Sequence, residues 1–179
     1  APLFEILLQQ AGGQVFDSRG RVALDSPATK EALGVLRRLI RSKTTANIAP
    51  YGYEELKSVN DDTIAAYPGA VWFGGIIKDV AQPKVSGELQ WAVMRLPAIK
   101  SGGLRNGNRG GSVLVIPRQS QQFEAAWQFL QFAVCRVESH LHHYQRFQLF
   151  PAFLPAHADE RFAVADPFFS NQKIADVYS

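Results

Sequence analysis

Short apolar segments alternate with helical patterns along this chain, and this alternation limits the fold more than any other feature of the sequence. Thr63–Tyr67 and Ser112–Ile116 have the length and apolar content of strands. A helical pattern follows each of them, beginning at Ala70 and after Ser120. Because strands that alternate with helices usually form a sheet covered by those helices, the sequence predicts an α/β fold.

Two helices have clear ends in the sequence. Pro2–Gln10 is followed by Ala11-Gly12-Gly13, in which glycine supplies the left-handed residue that commonly ends a helix. Ser26 precedes Pro27, and this order predicts an N-cap and a first helical residue, because proline lacks an N–H that the helix start leaves unpaired. Between the two helices, a tight turn at 18–20 predicts a short β-hairpin.

Periodicity predicts the remaining elements. Residues 150–169 are rich in Pro, Phe and Ala and poorly periodic, and a further helix is expected from Asn171. The other predicted elements are the helices Glu54–Val59, Ala70–Val80 and Glu138–Gln148, a helix capped by Ser120 that runs to Val134, and the strand Gln90–Leu96.

The composition excludes several classes of protein. Of the 179 residues, 46% are apolar and 20% are charged, as in a globular domain with a real core. The formal net charge is only +3, and no basic stripe is interleaved with aromatics, so nucleic acid is not an expected partner. Cys135 is the only cysteine, which excludes a disulfide framework. It falls on the apolar side of a predicted helix, and we expect it to be a core residue.

Trp72 is the first candidate for ligand binding. It lies just after a predicted strand and at the start of a predicted helix, where ligands often bind in open α/β sheets. An indole there stacks well on the apolar face of a sugar ring, while neighbouring helix-start amides offer N–H groups to hydroxyls. The alternative is that Trp72 packs beneath the next loop.

A glycine-rich loop at 102–111 is the second candidate. Its glycines permit positive φ and close approach of a ligand to the backbone. Asn106, Asn108 and Arg109 carry the polar groups that hydroxyls or a carboxylate require. The loop lacks the ending of a phosphate-binding P-loop and the dinucleotide glycine spacing. The alternative is a solvent-exposed linker.

Glu138, His140 and His143 are the third candidate. His140 and His143 are three apart and share a helix face, so they are able to hold a metal with a third ligand from elsewhere. A metal-dependent hydrolase using these residues is the alternative function, and a solvated helix face is the simpler interpretation. The sequence otherwise contains no Gly-x-Ser-x-Gly or His-Glu-x-x-His motif.

Short motifs in a fixed order carry a resemblance to a known family. The chain resembles the extracellular solute-binding proteins of family 1, the maltose-binding-protein-like group that captures sugars. The matching segments are, in order, Gln10–Asp17, Val22–Pro27 with its helix, Ala65–Gly75, Leu96–Ala98, Gly110–Pro117, Ala125–Leu130, Phe150–Ala152 and Asp166–Phe169.

The resemblance implies a periplasmic-binding-protein type II fold, in which a hinge joins two α/β lobes and the ligand binds in the cleft between them. It also implies that this chain is incomplete, and we expect it to be cut at both ends. On this basis residues 1–105 belong to the C-terminal lobe, 106–149 to the hinge and a segment returning to the N-terminal lobe, and 150–179 to a truncated crossing back.

The resemblance also assigns ligand contacts. Trp72 matches the family's aromatic residue that stacks on the sugar. Many members carry an aromatic where Arg109 stands, and this departure suits a charged or hydroxyl-rich ligand. The predicted ligand-binding residues are Trp72, Phe73, Gly74, Asn106, Asn108, Arg109, Gly110 and Phe153, with Phe150 as a weaker candidate.

The function implied is that of the substrate-binding component of an ABC importer. Such a protein captures a carbohydrate or another small polar solute by lobe closure and delivers it to the transmembrane subunits of the permease, without chemistry and without a cofactor. The expected location is the periplasm, or the extracellular face as a membrane-anchored lipoprotein.

Overall fold

The computed structural model describes residues 2–49, 52–61, 63–81, 91–108 and 110–178. The chain divides into two units, each assembled from two separate stretches of sequence. The first unit comprises Ala1–Pro50 and Arg95–Gly111, and the second comprises Tyr51–Met94 and Ser112–Ser179.

Helices make up most of the regular structure in the described residues. The α-helices are α1 (Pro2–Gln10), α2 (Pro27–Arg41), α3 (Tyr53–Ser58), α4 (Phe73–Val80), α5 (Phe123–Val134), α6 (Val137–Phe147) and α7 (Ile174–Tyr178). Three short 3₁₀ turns, Leu154–Ala158, Glu160–Ala163 and Pro167–Phe169, lie between α6 and α7. Across the described ranges, no helix combines the length and apolar content needed to cross a membrane.

In the first unit, α1 packs on α2 around a small core. Leu7, Leu8 and Ala32 are buried at this contact. The helices come close near Gly13, where an added Cβ would lie 2.9 Å from the Cβ of Ala28. A larger residue at position 13 would therefore push the start of α2 away from the end of α1.

The capping signals correctly predicted the ends of these two helices. The Oγ of Ser26 accepts the N–H of Thr29 at 3.2 Å, and Pro27 is the first residue of α2. Gly12 follows α1 with a φ of 79°, the left-handed conformation expected of it.

The second unit contains two apolar clusters. Val59, Phe73 and Ile77 form the smaller one, where α3 and α4 meet. The larger cluster joins α6, the 3₁₀ turns and α7; its buried residues are Leu141, Tyr144, Phe162, Phe169, Ile174 and Ala175. Trp91 and Phe168 pack against both clusters, so the two form a continuous core within this unit.

None of the predicted strands forms a ladder within the described residues, so the predicted α/β class is not confirmed. The predicted hairpin is reduced to a single bridge between Phe16 and Val22. Thr63–Tyr67, predicted as a buried strand, is irregular and mostly exposed, and this prediction was wrong. A strand requires a neighbouring strand to pair its backbone groups, and the described residues place none beside this segment. The predicted strand Gln90–Leu96 begins at a residue that lies outside the described ranges.

A glutamine side chain takes the place of a neighbouring strand at Val93. The N–H of Val93 donates to Oε1 of Gln172 at 2.7 Å, and Nε2 of Gln172 donates to the carbonyl oxygen of Val93 at 3.0 Å. Nearby, the hydroxyl of Ser170 donates to the carbonyl oxygen of Trp91 at 2.8 Å. Side chains therefore satisfy this extended backbone without a sheet.

The segment from Ser112 to Cys135 leaves its apolar residues uncovered. Val113 is 84% exposed and Val115 is 75% exposed, although this stretch was predicted to be a strand of the sheet. None of the residues of α5 is buried. Cys135, predicted as a core residue, is exposed at the C-cap of α5, and this prediction was wrong.

Candidate functional site

Trp72 lies at the start of α4 in the second unit, where the sequence placed a candidate ligand contact. The residue is half-buried at the N-cap position. Its indole meets the ring of Phe73 edge-on, with ring centroids 6.2 Å apart and an angle of 83° between the planes. Phe73 is buried, so the indole is supported by the core of the unit while part of its surface remains accessible.

A hydrogen-bond chain fixes the aromatic residues beneath Trp72. The ring of Tyr67 lies 6.0 Å from that of Phe73. The hydroxyl of Ser58 donates to the carbonyl oxygen of Glu55 at 2.6 Å, which uses its single proton. The hydroxyl of Tyr67 therefore donates to Oγ of Ser58, at 2.7 Å. Burial raises the pKa of Tyr67, which keeps the phenol in its donor form.

Two of the amides beside Trp72 are used within the chain. The N–H of Phe73 donates to the carbonyl oxygen of Ala70 at 2.9 Å, and the N–H of Gly75 donates to that of Trp72 at 3.2 Å. This turn precedes α4, which begins at Phe73 and not at Ala70 as predicted. The expectation that helix-start amides bind ligand hydroxyls does not hold for these two groups.

The neighbouring predicted contacts have packing roles. The side chain of Phe73 is only 6% exposed. A Cβ at Gly74 would lie 3.3 Å from the ring of Phe169 and 3.5 Å from the hydroxyl of Tyr178. Glycine at position 74 thus lets α4 approach the C-terminal elements, and a ligand contact by Phe73 or Gly74 stays a prediction.

The glycine-rich loop lies in the first unit, and α1 holds it. The N–H of Asn108 donates to Oε1 of Gln9 at 2.7 Å, and Nε2 of Gln9 donates to the carbonyl oxygen of Asn108. A Cβ at Gly107 would lie 2.7 Å from Cγ2 of Ile6, so the loop backbone is pressed against the helix. No sequence motif marks Gln9 for this role.

The polar side chains of this loop differ in whether they already form hydrogen bonds within the loop. Oδ1 of Asn108 accepts the N–H of Gly110 at 2.7 Å, so this side chain serves the loop itself. Asn106 is exposed and makes no hydrogen bond to any residue that the structure describes. Arg109 lies outside the described residues. The amide of Asn106 is therefore the best-placed ligand donor and acceptor among the described polar side chains of the loop.

Two of the three proposed metal ligands on α6, Glu138 and His140, already contact polar groups of the protein. Both carboxylate oxygens of Glu138 accept from Arg161, at 2.7 and 3.0 Å, and these bonds hold the pKa of Glu138 below its usual value. Nε2 of His140 lies 2.9 Å from the carbonyl oxygen of Val134. In the part of the chain that the structure describes, no three metal-binding side chains come together. The hydrolase alternative therefore has no metal site there.

The two phenylalanines of the predicted crossing segment have different surroundings. Phe153 is half-buried and stacks on the ring of His140, with centroids 5.5 Å apart and an angle of 14°. Phe150 packs edge-on against Phe162 and Tyr178, at 5.3 and 5.5 Å, as part of the core. Phe153 is therefore the better candidate of the two for a ligand contact, because Phe150 is part of the core.

Comparison with known proteins identifies the family. The model of the bacterial extracellular solute-binding protein family matches residues 1–134. Arabinooligosaccharide-binding proteins of Halalkalibacterium halodurans and Bacillus subtilis are each 30% identical, over 136 and 133 residues. These alignments cover 74% and 73% of this chain but only 30% of each relative's length. Because the family match extends over most of the chain, this protein belongs to the bacterial extracellular solute-binding protein family, which implies a periplasmic-binding-protein type II fold.

Proposed function

We propose that this chain forms part of the substrate-binding component of an ABC importer, which captures a carbohydrate and delivers it to the membrane permease. Family membership supports solute binding. Both curated relatives are named as binding arabinooligosaccharides, which makes these sugars the first ligands to test. Capture proceeds by a shift between open and closed states of the complete protein and changes no covalent bond. The protein works outside the cytoplasm, either free in a periplasm or anchored by a lipid.

The observation that carries this proposal is the supported but accessible indole of Trp72. Sugar rings present C–H groups on one face, and an aromatic ring held in a fixed orientation stacks on that face with little loss of side-chain entropy. Phe73 and Tyr67 supply this fixed support. Asn106 in the first unit is proposed as a separate polar contact, and Phe153 as a further aromatic one.

We further propose that the chain contributes to both lobes of the complete protein. Residues 1–105 belong to the C-terminal lobe, 106–149 to the hinge and a returning segment, and 150–179 to the crossing back. The uncovered apolar residues of α5 support the returning segment, because a wide apolar helix face is normally packed against other elements. The curated relatives are longer than this chain, and we propose that polypeptide equivalent to their additional length covers α5.

Titration of the full-length protein with arabinooligosaccharides and a panel of other sugars tests the proposal. Calorimetry measures affinity, and chromatography of the recovered sugar checks for turnover. Saturable binding with unchanged sugar is the expected result. Turnover of the sugar, or no binding to any carbohydrate, would contradict the proposal.

The variant Trp72→Ala tests the role of the indole. We expect the affinity to fall about tenfold or more, since a lost stacking contact also removes buried apolar area. Tyr53→Ala is the matched control, because Tyr53 is an aromatic residue that is 77% exposed in the same unit. Equal affinity of Trp72→Ala and Tyr53→Ala would remove Trp72 from the site.

A further inference from the structure

Two adjacent glutamines at the end of α1 hold the two ends of the segment 97–108. Nε2 of Gln10 donates to the carbonyl oxygen of Pro97 at 3.2 Å, at the start of the segment. Gln9 exchanges two hydrogen bonds with the backbone of Asn108, at its end. A helix that is itself packed in the core of the unit therefore sets where this segment leaves and returns.

The bonds of Gln9 reproduce the pairing that a neighbouring strand would give. One primary amide accepts from the N–H of Asn108 and donates to its carbonyl oxygen, so both backbone groups of one residue are satisfied together. Gly107 lies against Ile6 in the same place, where a side chain would not fit. The backbone at 107–108 is therefore held by two hydrogen bonds on one side and lies close to Ile6 on the other.

The held backbone of Asn108 also affects the polar side chains that are proposed to contact a ligand. The fixed backbone of Asn108 orients its own side chain, whose Oδ1 accepts the N–H of Gly110 at 2.7 Å. It also sets the direction of the chain at Asn106, whose amide is exposed. A loop that is ordered before the ligand arrives avoids the entropy cost of being ordered on binding.

We propose that Gln9 is a positioning residue for sugar binding, which presets residues 106–108 and Gly110 through the backbone of Asn108. Gln9 touches no sugar in this proposal and acts only through the loop. The inference rests on the proposed function, because it requires that the loop contacts the ligand.

The test uses three variants of the full-length protein and arabinotriose as the probe. Gln9→Met keeps the length and helix propensity of the side chain but removes the amide. Gln9→Glu keeps an acceptor for the N–H of Asn108 and loses the donor to its carbonyl oxygen. Gln14→Met is the matched control, since Gln14 is an exposed glutamine of the same unit. Each protein is measured by hydrogen exchange of residues 106–110, by calorimetry and by thermal melting.

We expect Gln9→Met to speed exchange at Asn108 and Gly110 about tenfold and to weaken arabinotriose binding about tenfold, with a melting temperature close to that of the wild type. Gln9→Glu is expected to fall between Gln9→Met and the wild type, and Gln14→Met to match the wild type. If Gln9 acted only through the packing of its side chain, Gln9→Met would match the wild type in both hydrogen exchange and affinity.

Two results would overturn the proposal while leaving the proposed function intact. One is unchanged exchange at 106–110 in Gln9→Met, and the other is faster exchange with wild-type affinity. If the wild-type protein binds no arabinotriose or other sugar, the proposed function fails and the positioning role fails with it. Hydrogen exchange measured without sugar tests the contact between Gln9 and Asn108 by itself. It therefore distinguishes a protein that binds no sugar from one in which Gln9 does not hold the loop.

Discussion

Within the described residues, the guanidinium of Arg161 bridges two carboxylates by hydrogen bonds. It donates to both oxygens of Glu138 and to both oxygens of Asp159. The hydrogen bonds from Arg161 lower the pKa of Asp159 to about 2 and also lower that of Glu138. One guanidinium thus joins the first turn of α6 to the 3₁₀ turns that follow it.

This cluster predicts a defined acid dependence. Both carboxyl groups have lower pKa values in the folded state than in the unfolded chain, so their contribution is fully present above about pH 5, beyond the unfolded values near 4. It is lost as the pH falls toward 2. We expect Arg161→Met to lower the melting temperature at pH 7, and the gap to the wild type to shrink steadily between pH 5 and pH 2.

Melting curves of the two proteins across this pH range measure the effect. Arg118→Met serves as the control, because Arg118 is an exposed arginine that belongs to a different segment. A gap of the same size at pH 2.5 and at pH 7 would show that Arg161 acts through packing of its aliphatic stem instead.

At the same scale, the sequence predicted the position of Trp72 but not the roles of its neighbours. An indole at the start of a helix is a local pattern, whereas the strand predicted before it does not form. The burial of Phe73, the fit of Gly74 against Phe169 and the bonds of Gln9 depend on residues that lie far away in sequence. Residues 9 and 108 are 99 positions apart, and no spacing rule connects them.

At the scale of elements, the backbone of α4 lies close to the end of α6 at Gly75. A Cβ at Gly75 would lie 2.6 Å from the carbonyl oxygen of Phe147 and 3.0 Å from the Cβ of Gln148. Backbone atoms cannot move aside as a flexible side chain can. The two helices therefore stay in register only while position 75 carries no side chain.

Gly75→Ala is expected to destabilise the protein by about 1–3 kcal/mol, because overpacking outweighs the gain in helix propensity. Gly34→Ala in α2 is the matched control. Its nearest neighbour would be the flexible guanidinium of Arg38 at 3.8 Å, so we expect a gain of about 0.5–1 kcal/mol. Denaturant unfolding of both variants measures the difference, and equal stabilities would disprove the proposed steric conflict.

The helices were predictable and the strands were not, for a physical reason. Ser26, Pro27 and Gly12 act on residues within one turn, so their effect is visible in a short window. A strand forms only when a distant segment pairs with it. At Val93 the partner is the side chain of Gln172, which satisfies the backbone but creates no ladder.

Considered as a whole, the molecule keeps its core in two units and leaves one long apolar segment uncovered. Phe129 is 64% exposed, Phe132 is 53% exposed and Val113 is 84% exposed. Uncovered apolar surface of this extent is typical of an interface. Family membership was predictable from motif order, whereas the absence of cover on α5 appears only in three dimensions.

This surface predicts opposite effects of one substitution in two proteins. In the 179-residue chain alone, Phe129→Gln is expected to reduce self-association, because it removes exposed apolar area. In the full-length protein, the same change is expected to lower stability by about 3 kcal/mol, because it buries a polar group in place of an aromatic ring. Sedimentation and denaturant unfolding measure the two effects. A destabilisation close to zero in the full-length protein would contradict the proposed returning segment.

The hydrogen bonds from α1 to the two ends of the segment 97–108 affect which substitutions in that segment are expected to change ligand preference. Gln9 and Gln10 bond to main-chain atoms of Asn108 and Pro97, so they recognise the path of the chain and not its side chains. Several of the intervening positions are also constrained. Gly107 has no room for a side chain beside Ile6, Gly102 has a φ of 73°, and Ile99 packs against the core of the first unit. Substitution of its exposed residues, such as Asn106, is therefore expected to alter ligand preference while the two glutamine anchors stay in place.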